Sequence, residues 1–140
     1  MAPASDTAPR PRIVVTNHDP VFLELLRVLL RDEGYEALVP PKLEEPYPFI
    51  KEVCPAVVVL DVPFRRETEA LATLDKLRLD PATAPLPVVV CTISSRELQG
   101  LEGREAEGLY VLSKPFDLEQ LLIILATVLR PPHRHGARGG

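Results

Sequence analysis

Three side chains of different chemistry lie at the ends of apolar runs in this sequence. Asp61 closes the run at residues 56–60, Thr92 follows residues 87–91, and Lys114 stands just past residues 109–112 in Ser113-Lys114-Pro115-Phe116. A carboxylate is a nucleophile toward phosphorus. An ammonium and a hydroxyl can hold phosphoryl oxygens by charge and hydrogen bond. The plainer reading stands equally open at this point, with Lys114-Pro115 as a structural turn and Asp61 as a hydrogen-bonding strand end. A second group, Thr16-Asn17-His18-Asp19, follows residues 13–15 and offers an amide, an imidazole and a carboxylate. Whether these groups meet depends on the elements that carry them.

Residues 13–15 (Ile-Val-Val) form a β-branched run typical of a buried parallel strand. Residues 20–31 place Phe22, Leu25, Leu26 and Leu29 on one helical stripe, which Gly34 ends. Residues 36–39 read as a weak edge strand, and residues 56–60, apolar throughout, as a central one. Residues 67–79 are helical, with Leu71, Leu74 and Leu77 on one face. Residues 87–91 and 109–112 are further strands, and Asp117 caps a last helix reaching about Leu129. Pro40, Pro41, Pro46 and Pro48 crowd the second helix and leave only residues 49–53 free of proline. An interior proline costs about 3 kcal/mol, so a short helix or an irregular segment is expected there. Strands alternating with helices imply an α/β fold, a doubly wound parallel sheet with helices on both faces. Such sheets gather functional groups at the carboxyl ends of their strands, which brings Asp61, Thr92 and Lys114 to one rim.

A chain of 140 residues has room for one domain with one sizeable core. Its net charge of −4 argues against a face that neutralises nucleic-acid phosphates, so no nucleic-acid partner is expected. The longest apolar run, residues 121–126, is far short of the about 20 residues that span a bilayer. No basic segment followed by an apolar core marks a signal peptide, so a cytoplasmic protein without membrane contact is expected. Cys54 and Cys91 lack ligand-like spacing and read as reduced residues at strand edges. Residues 1–10 read as a flexible lead, 11–130 as the domain and 131–140 as a disordered tail. His133 and His135 in that tail read as solvated groups rather than metal ligands.

Residues 13–20, 56–61, 88–92 and 113–116 resemble, in order and spacing, the signature segments of bacterial response-regulator receiver domains. Lysine-proline-phenylalanine, with the lysine 22 positions past Thr92, is the most specific part of the match. The resemblance covers roughly residues 12–130. It implies the flavodoxin-like strand order 2-1-3-4-5 and a receiver in a two-component pathway, expected to be stand-alone because no DNA-binding motif is legible after the main body. It also implies that Asp61 occupies the position that accepts a phosphoryl group from a histidine kinase. Thr92 is then the hydroxyl that follows this group, and Lys114 its cationic partner.

The sequence also departs from that family. Receivers ordinarily carry two adjacent acids after the first strand, which help to hold magnesium; alignment on Pro20 puts Asn17 and His18 there. Asp19 falls one place late and should point elsewhere. Magnesium prefers oxygen ligands with carboxylate charge, whereas imidazole suits zinc or copper. At an effective dielectric near 20, one unit pair about 4 Å apart is worth about 4 kcal/mol, and two carboxylates are gone. The expectation is no cofactor, or magnesium held weakly by Asp61 and the backbone of Pro63. Val111 replaces the usual aromatic switch residue three places before the lysine, and Tyr110 beside it points to the opposite strand face. Ile93 follows Thr92 where a small residue is usual, and residues 62–66 (Val-Pro-Phe-Arg-Arg) lack the usual proline and glycine placement. These departures imply a phosphorylation switch that is weakened or lost, in a module that is not an enzyme.

In the last helix Leu118, Leu121, Leu122, Leu125 and Leu129 fill a core stripe and leave Ile123 and Ile124 on the outer half. Isolated exposed apolar residues are common, but contiguous ones mark partner sites, and in receivers the last helix is a frequent partner or dimer face. The expected partners are a histidine kinase, another signalling protein, or a second copy bound through that helix. Two alternatives remain in view. One is a working phosphoacceptor at Asp61. The other is a flavodoxin-like nucleotide or cofactor binder, which needs a glycine-rich loop that residues 16–20 do not supply.

Overall fold

The computed structural model describes residues 10–63, 66–92, 100, 103–115 and 117–129; Phe64, Arg65, Ile93, Phe116, His133, His135, residues 1–9 and residues 131–140 lie outside them. Strands β1 (Arg12–Val15), β2 (Glu36–Leu38), β3 (Val57–Asp61), β4 (Val88–Thr92) and β5 (Leu109–Ser113) pair in parallel in the order β2-β1-β3-β4-β5. That is the expected doubly wound sheet. Helices α1 (Pro20–Asp32), α2 (Tyr47–Val53), α3 (Glu67–Leu79) and α4 (Leu118–Leu129) flank it, and a 3-10 turn at Glu105–Glu107 leads into β5.

Strand alternation divides the core into two layers. Val58 and Leu60 face Ile50 of α2 and Leu74 and Leu77 of α3. Val57 and Val59 face Leu26 and Leu30 of α1 and Leu121 and Leu125 of α4. Val111 belongs to the first layer and Tyr110 to the second, so the two lie on opposite faces as expected.

Local signals set the helix ends. Asp19 accepts from the Val21 and Phe22 N–H groups at 3.0 and 3.4 Å, and Pro20 stands at the first helical position. Gly34, at a φ of +92°, turns the chain out of α1 into β2. At α4 the Gln120 side chain accepts from the Asp117 N–H at 2.9 Å, the return half of a capping box. Helix α2 is longer than the proline count implies. Pro48 lies within its first turn, where a missing N–H leaves no helical bond unmade, so residues 47 and 48 join the expected residues 49–53. Tyr47 and Lys51 of α2 both hold Asp80 at the end of α3, the lysine at 2.9 Å, and these contacts pull the Asp80 carboxyl down to about 2.

Three packing expectations need correction. Leu25 is exposed and Leu29 only half-buried; the α1 stripe instead runs through Leu26 and Leu30 with Phe22 and Leu23. The helix is rotated toward residue 30 because Tyr35, following Gly34, packs on the same layer. Ile124 is half-buried against the second layer and is not an outward residue, whereas Ile123 is exposed. Neither cysteine is at a strand edge in the structural sense. Cys54 is exposed at the C-cap of α2, and Cys91 is buried in β4, a strand paired on both sides.

Two outcomes follow from this packing. Leu26→Ala should cost about 2–5 kcal/mol in chemical denaturation, while Leu25→Ala should stay within about 0.5 kcal/mol of wild type. Burial, helped by the charge of Asp61 and opposed by Lys114, pushes the Cys91 thiol up to about 12. Alkylation of the native protein near neutral pH should therefore label Cys54 and spare Cys91 until the chain unfolds, read by peptide mass.

Candidate functional site

The sheet brings the chemistry-bearing residues to one rim. Asp61 ends β3 in register with Cys91, and Thr92 follows one step further, opposite Ser113. Thr92 is thus the last residue of β4 rather than the first residue beyond it, and it is buried. Its carbonyl accepts from the Lys114 N–H at 2.7 Å, which fixes where the lysine leaves β5.

Asp61 is 6% exposed. Its Oδ1 contacts the Lys114 ammonium, and the same ammonium donates to the Val62 carbonyl at 3.2 Å. The contact with Oδ1 is an ion pair; among the described residues no donor is aligned with that oxygen as a hydrogen bond. Oδ2 lies 3.4 Å from Nδ1 of His18. The backbone N–H of Asp61 donates to Thr16 Oγ1 at 2.8 Å. A buried carboxylate demands compensation by charge and hydrogen bonds, and here His18 of the β1–α1 loop and Lys114 of the loop after β5 supply it.

The expected meeting of Asp61 with Lys114 is therefore realised, and two further contacts lack a forecast. Sequence reading gives Thr16 no role, although its place one residue past β1 is the available signal. It treats His18 as a replaced acid, whereas the ring turns inward onto Asp61. Val111 is half-buried beneath the rim and is not part of the polar cluster.

The oxygens that a cation would need are otherwise engaged. Asn17 Oδ1 accepts from the Asp19 N–H at 2.8 Å, and Asp19 caps α1, pointing away from the rim as expected. The Pro63 carbonyl accepts from the Arg66 N–H at 3.0 Å. Among the described residues no three of histidine, cysteine, aspartate and glutamate are grouped to hold a metal. A cleft of about 20 Å³ beside Asp61, lined by Thr16, His18, Leu43, Pro46, Pro63 and Glu69 among others, has room for about one water molecule.

Among the described residues no helix is long and apolar enough to cross a membrane. The family model of the response regulator receiver domain matches residues 13–126. The chain is 25% identical over 124 residues to the DNA-binding dual master transcriptional regulator RpaA of Synechocystis, covering 89% of this chain and 51% of that protein. It is 29% identical over 118 residues to the probable transcriptional regulatory protein TcrX of Mycobacterium tuberculosis, covering 84% and 49%. The chain thus spans about half the length of these relatives. Among solved structures, the receiver domain of a signal transduction histidine kinase from Syntrophus aciditrophicus superposes with a TM-score of 0.71 at 23% identity, covering 89% of this chain and 93% of that one. A two-component response regulator from Clostridium difficile gives 0.69 at 19% identity, covering 89% and 99%. With the sheet order, the rim and the family match in agreement, this chain belongs to the response regulator receiver domain family of two-component signalling.

Proposed function

We propose that this receiver acts as a protein-interaction module in which magnesium-dependent phosphorylation of Asp61 is weakened or lost. The observation that carries the reading is the bracketing of a nearly buried Asp61 by its own neighbours, Lys114 on one oxygen and His18 on the other. Phosphoryl transfer to a carboxylate needs an approach to one of those oxygens, and the adjacent cleft is water-sized.

Magnesium, which the family implies, does not fit the residues present. Of the oxygens that could surround it, the Asn17 amide and the Pro63 carbonyl serve local turns and the Asp19 carboxylate serves α1. Among the described residues that line the cleft the carboxylates are Asp61 and Glu69, Glu69 is paired with Arg66, and His18 brings nitrogen where a hard cation prefers oxygen. The second reading, a working phosphoacceptor, draws support from the Lys114–Asp61 ion pair.

The apolar surface supports a partner role. Of the five large hydrophobic side chains left exposed among the described residues, four lie on α1 and α4, which cover the same face of the sheet: Val21, Leu25, Val28 and Ile123. Val21, Leu25 and Val28 follow one another at helical spacing, and contiguous apolar surface marks interaction sites. The partner face is therefore Ile123 joined by this α1 strip, without Ile124. The partner is a histidine kinase, another signalling protein of the pathway, or a second copy. No nucleic-acid contact and a cytoplasmic location belong to the same proposal.

Two experiments test the proposal. Incubation with acetyl phosphate and magnesium, read by intact mass, should leave wild type and Asp61→Ala equally unlabelled. Asn17→Asp with His18→Asp should gain a phosphoryl group; ready labelling of wild type, absent in Asp61→Ala, would establish the phosphoacceptor reading instead. Separately, Leu25→Glu and Ile123→Glu should leave thermal unfolding unchanged yet weaken self-association or partner recovery, with Asp61→Asn having the smaller effect. Loss of binding in Asp61→Asn alone would return control to the rim.

A further inference from the structure

A second concave region lies away from Asp61, between the outer face of α1 and the edge strand β2. It is a groove of about 530 Å³, and three guanidinium groups line it: Arg10, Arg27 and Arg31. Arg10 is brought there from before β1, its Nη1 donating to the Arg31 carbonyl at 3.3 Å across 21 positions of sequence. Arg27 is one turn earlier on the same helix. The C-terminal carbonyls of a helix favour cations, which accounts for Arg31 and Arg10 but not for Arg27, a full turn inside.

Pairing within the groove is weak. Glu24 stands 3.9 Å from Arg27 with both side chains largely in solvent, a geometry worth little. Among the described residues Arg31 and Glu36 have no ion-pair partner. The rest of the wall is Tyr35, Ala37, Leu38 and Val28. Partial burial, reinforced by Glu33, raises the Tyr35 phenol, so its hydroxyl stays a donor near neutral pH.

Arginine forks match phosphate oxygens two at a time. A volume of this size falls within the about 300–1,000 Å³ typical of small-molecule sites and far exceeds what one inorganic ion fills. An inorganic anion would also meet Glu24 and Glu36, which line the same groove. A molecule with phosphates at one end and hydrogen-bond donors on an organic body at the other suits both signs. We propose that the α1–β2 groove binds a phosphate-bearing small molecule of nucleotide size. Its phosphates rest on Arg10, Arg27 and Arg31, and its organic part lies against Tyr35 and Ala37. This site is separate from the strand-end loop and from Asp61, so it stands or falls independently of the phosphorylation reading.

The test is an NMR titration of the isotope-labelled full chain with ATP, tripolyphosphate and adenosine, each without magnesium. The arginine Nε–H signals and the Tyr35 and Ala37 amides are followed. ATP should shift the Arg10, Arg27, Arg31 and Ala37 signals to saturation, with tripolyphosphate weaker by roughly tenfold and adenosine weaker still. Arg27→Gln with Arg31→Gln should raise the ATP dissociation constant at least roughly tenfold. Arg31→Lys, which keeps the charge and loses the fork, should weaken ATP as well. Arg104→Gln, whose parent residue pairs with Glu107 elsewhere, should not. Unsaturable shifts, binding that survives the double substitution, or tripolyphosphate binding as tightly as ATP would each overturn the proposal. Thermal melts of every variant identify any loss caused by unfolding; if the double variant does not fold, Arg31→Lys alone decides.

Discussion

A negative charge held almost out of water at the end of the central strand is the constraint on which the rest of this domain depends. Removing one partner from a buried ion pair typically costs about 3–5 kcal/mol, so the residues around Asp61 are bound to it energetically as well as spatially. Lys114 can reach it only because β5 pairs with β4 in a register that puts Ser113 beside Thr92. His18 can reach it only because the β1–α1 loop is pinned by Asn17 and Asp19 on either side. Thr16 receives the Asp61 N–H and so joins β1 to the end of β3 by a side chain where the ladder stops. The rim is a set of loops drawn together by one carboxylate.

This arrangement gives a physical sense to the missing acids. Two carboxylates beside Asp61 would repel it unless a divalent cation stood between them. With an amide and an imidazole there instead, the site has no such repulsion to neutralise, and Asp61 takes its compensation from within the chain. On the proposed reading, the same residues that withhold cation ligands also leave no acid repulsion for a cation to neutralise. By contrast, the apolar side chains exposed on α1 and α4 lie on helices anchored by Leu26, Leu30, Leu121 and Leu125 beneath.

Much of this is legible in the sequence itself. The short β-branched runs of β3 and β4, alternating with helical segments, read as buried parallel strands, and each ends in a polar residue, so the sheet and the rim follow together. The displacement of Asp19 is readable from alignment on Pro20, which sets it one place past the expected acids; its role as the cap of α1 comes from the structure. What the sequence did not disclose was rotation and direction. Leu25 and Leu26 are equivalent in type, and only the packing of Tyr35 and Leu30 decides which is covered. Ile124 is held half inside by neighbours from other elements, which a helical projection of one segment does not contain. The inward turn of His18 depends on an oxygen 43 positions away, and residue spacing alone carries no information about that.

Arg78 has a quieter consequence. Its guanidinium donates to the carbonyls of Ala84 and Leu86 at 2.7 and 2.8 Å and to that of Gly108 at 3.4 Å, and burial together with Arg104 pulls it below the usual arginine range. One side chain thereby stitches the end of α3 to the entry of β4 and to the turn before β5. A lysine keeps the charge but offers a single donor centre, and it would leave the remaining carbonyls to find water in a half-covered crevice. Position 78 is thus constrained for a reason that involves no chemistry: it joins the end of α3 to the starts of β4 and β5, the two neighbouring strands that finish with Thr92 and Ser113 side by side.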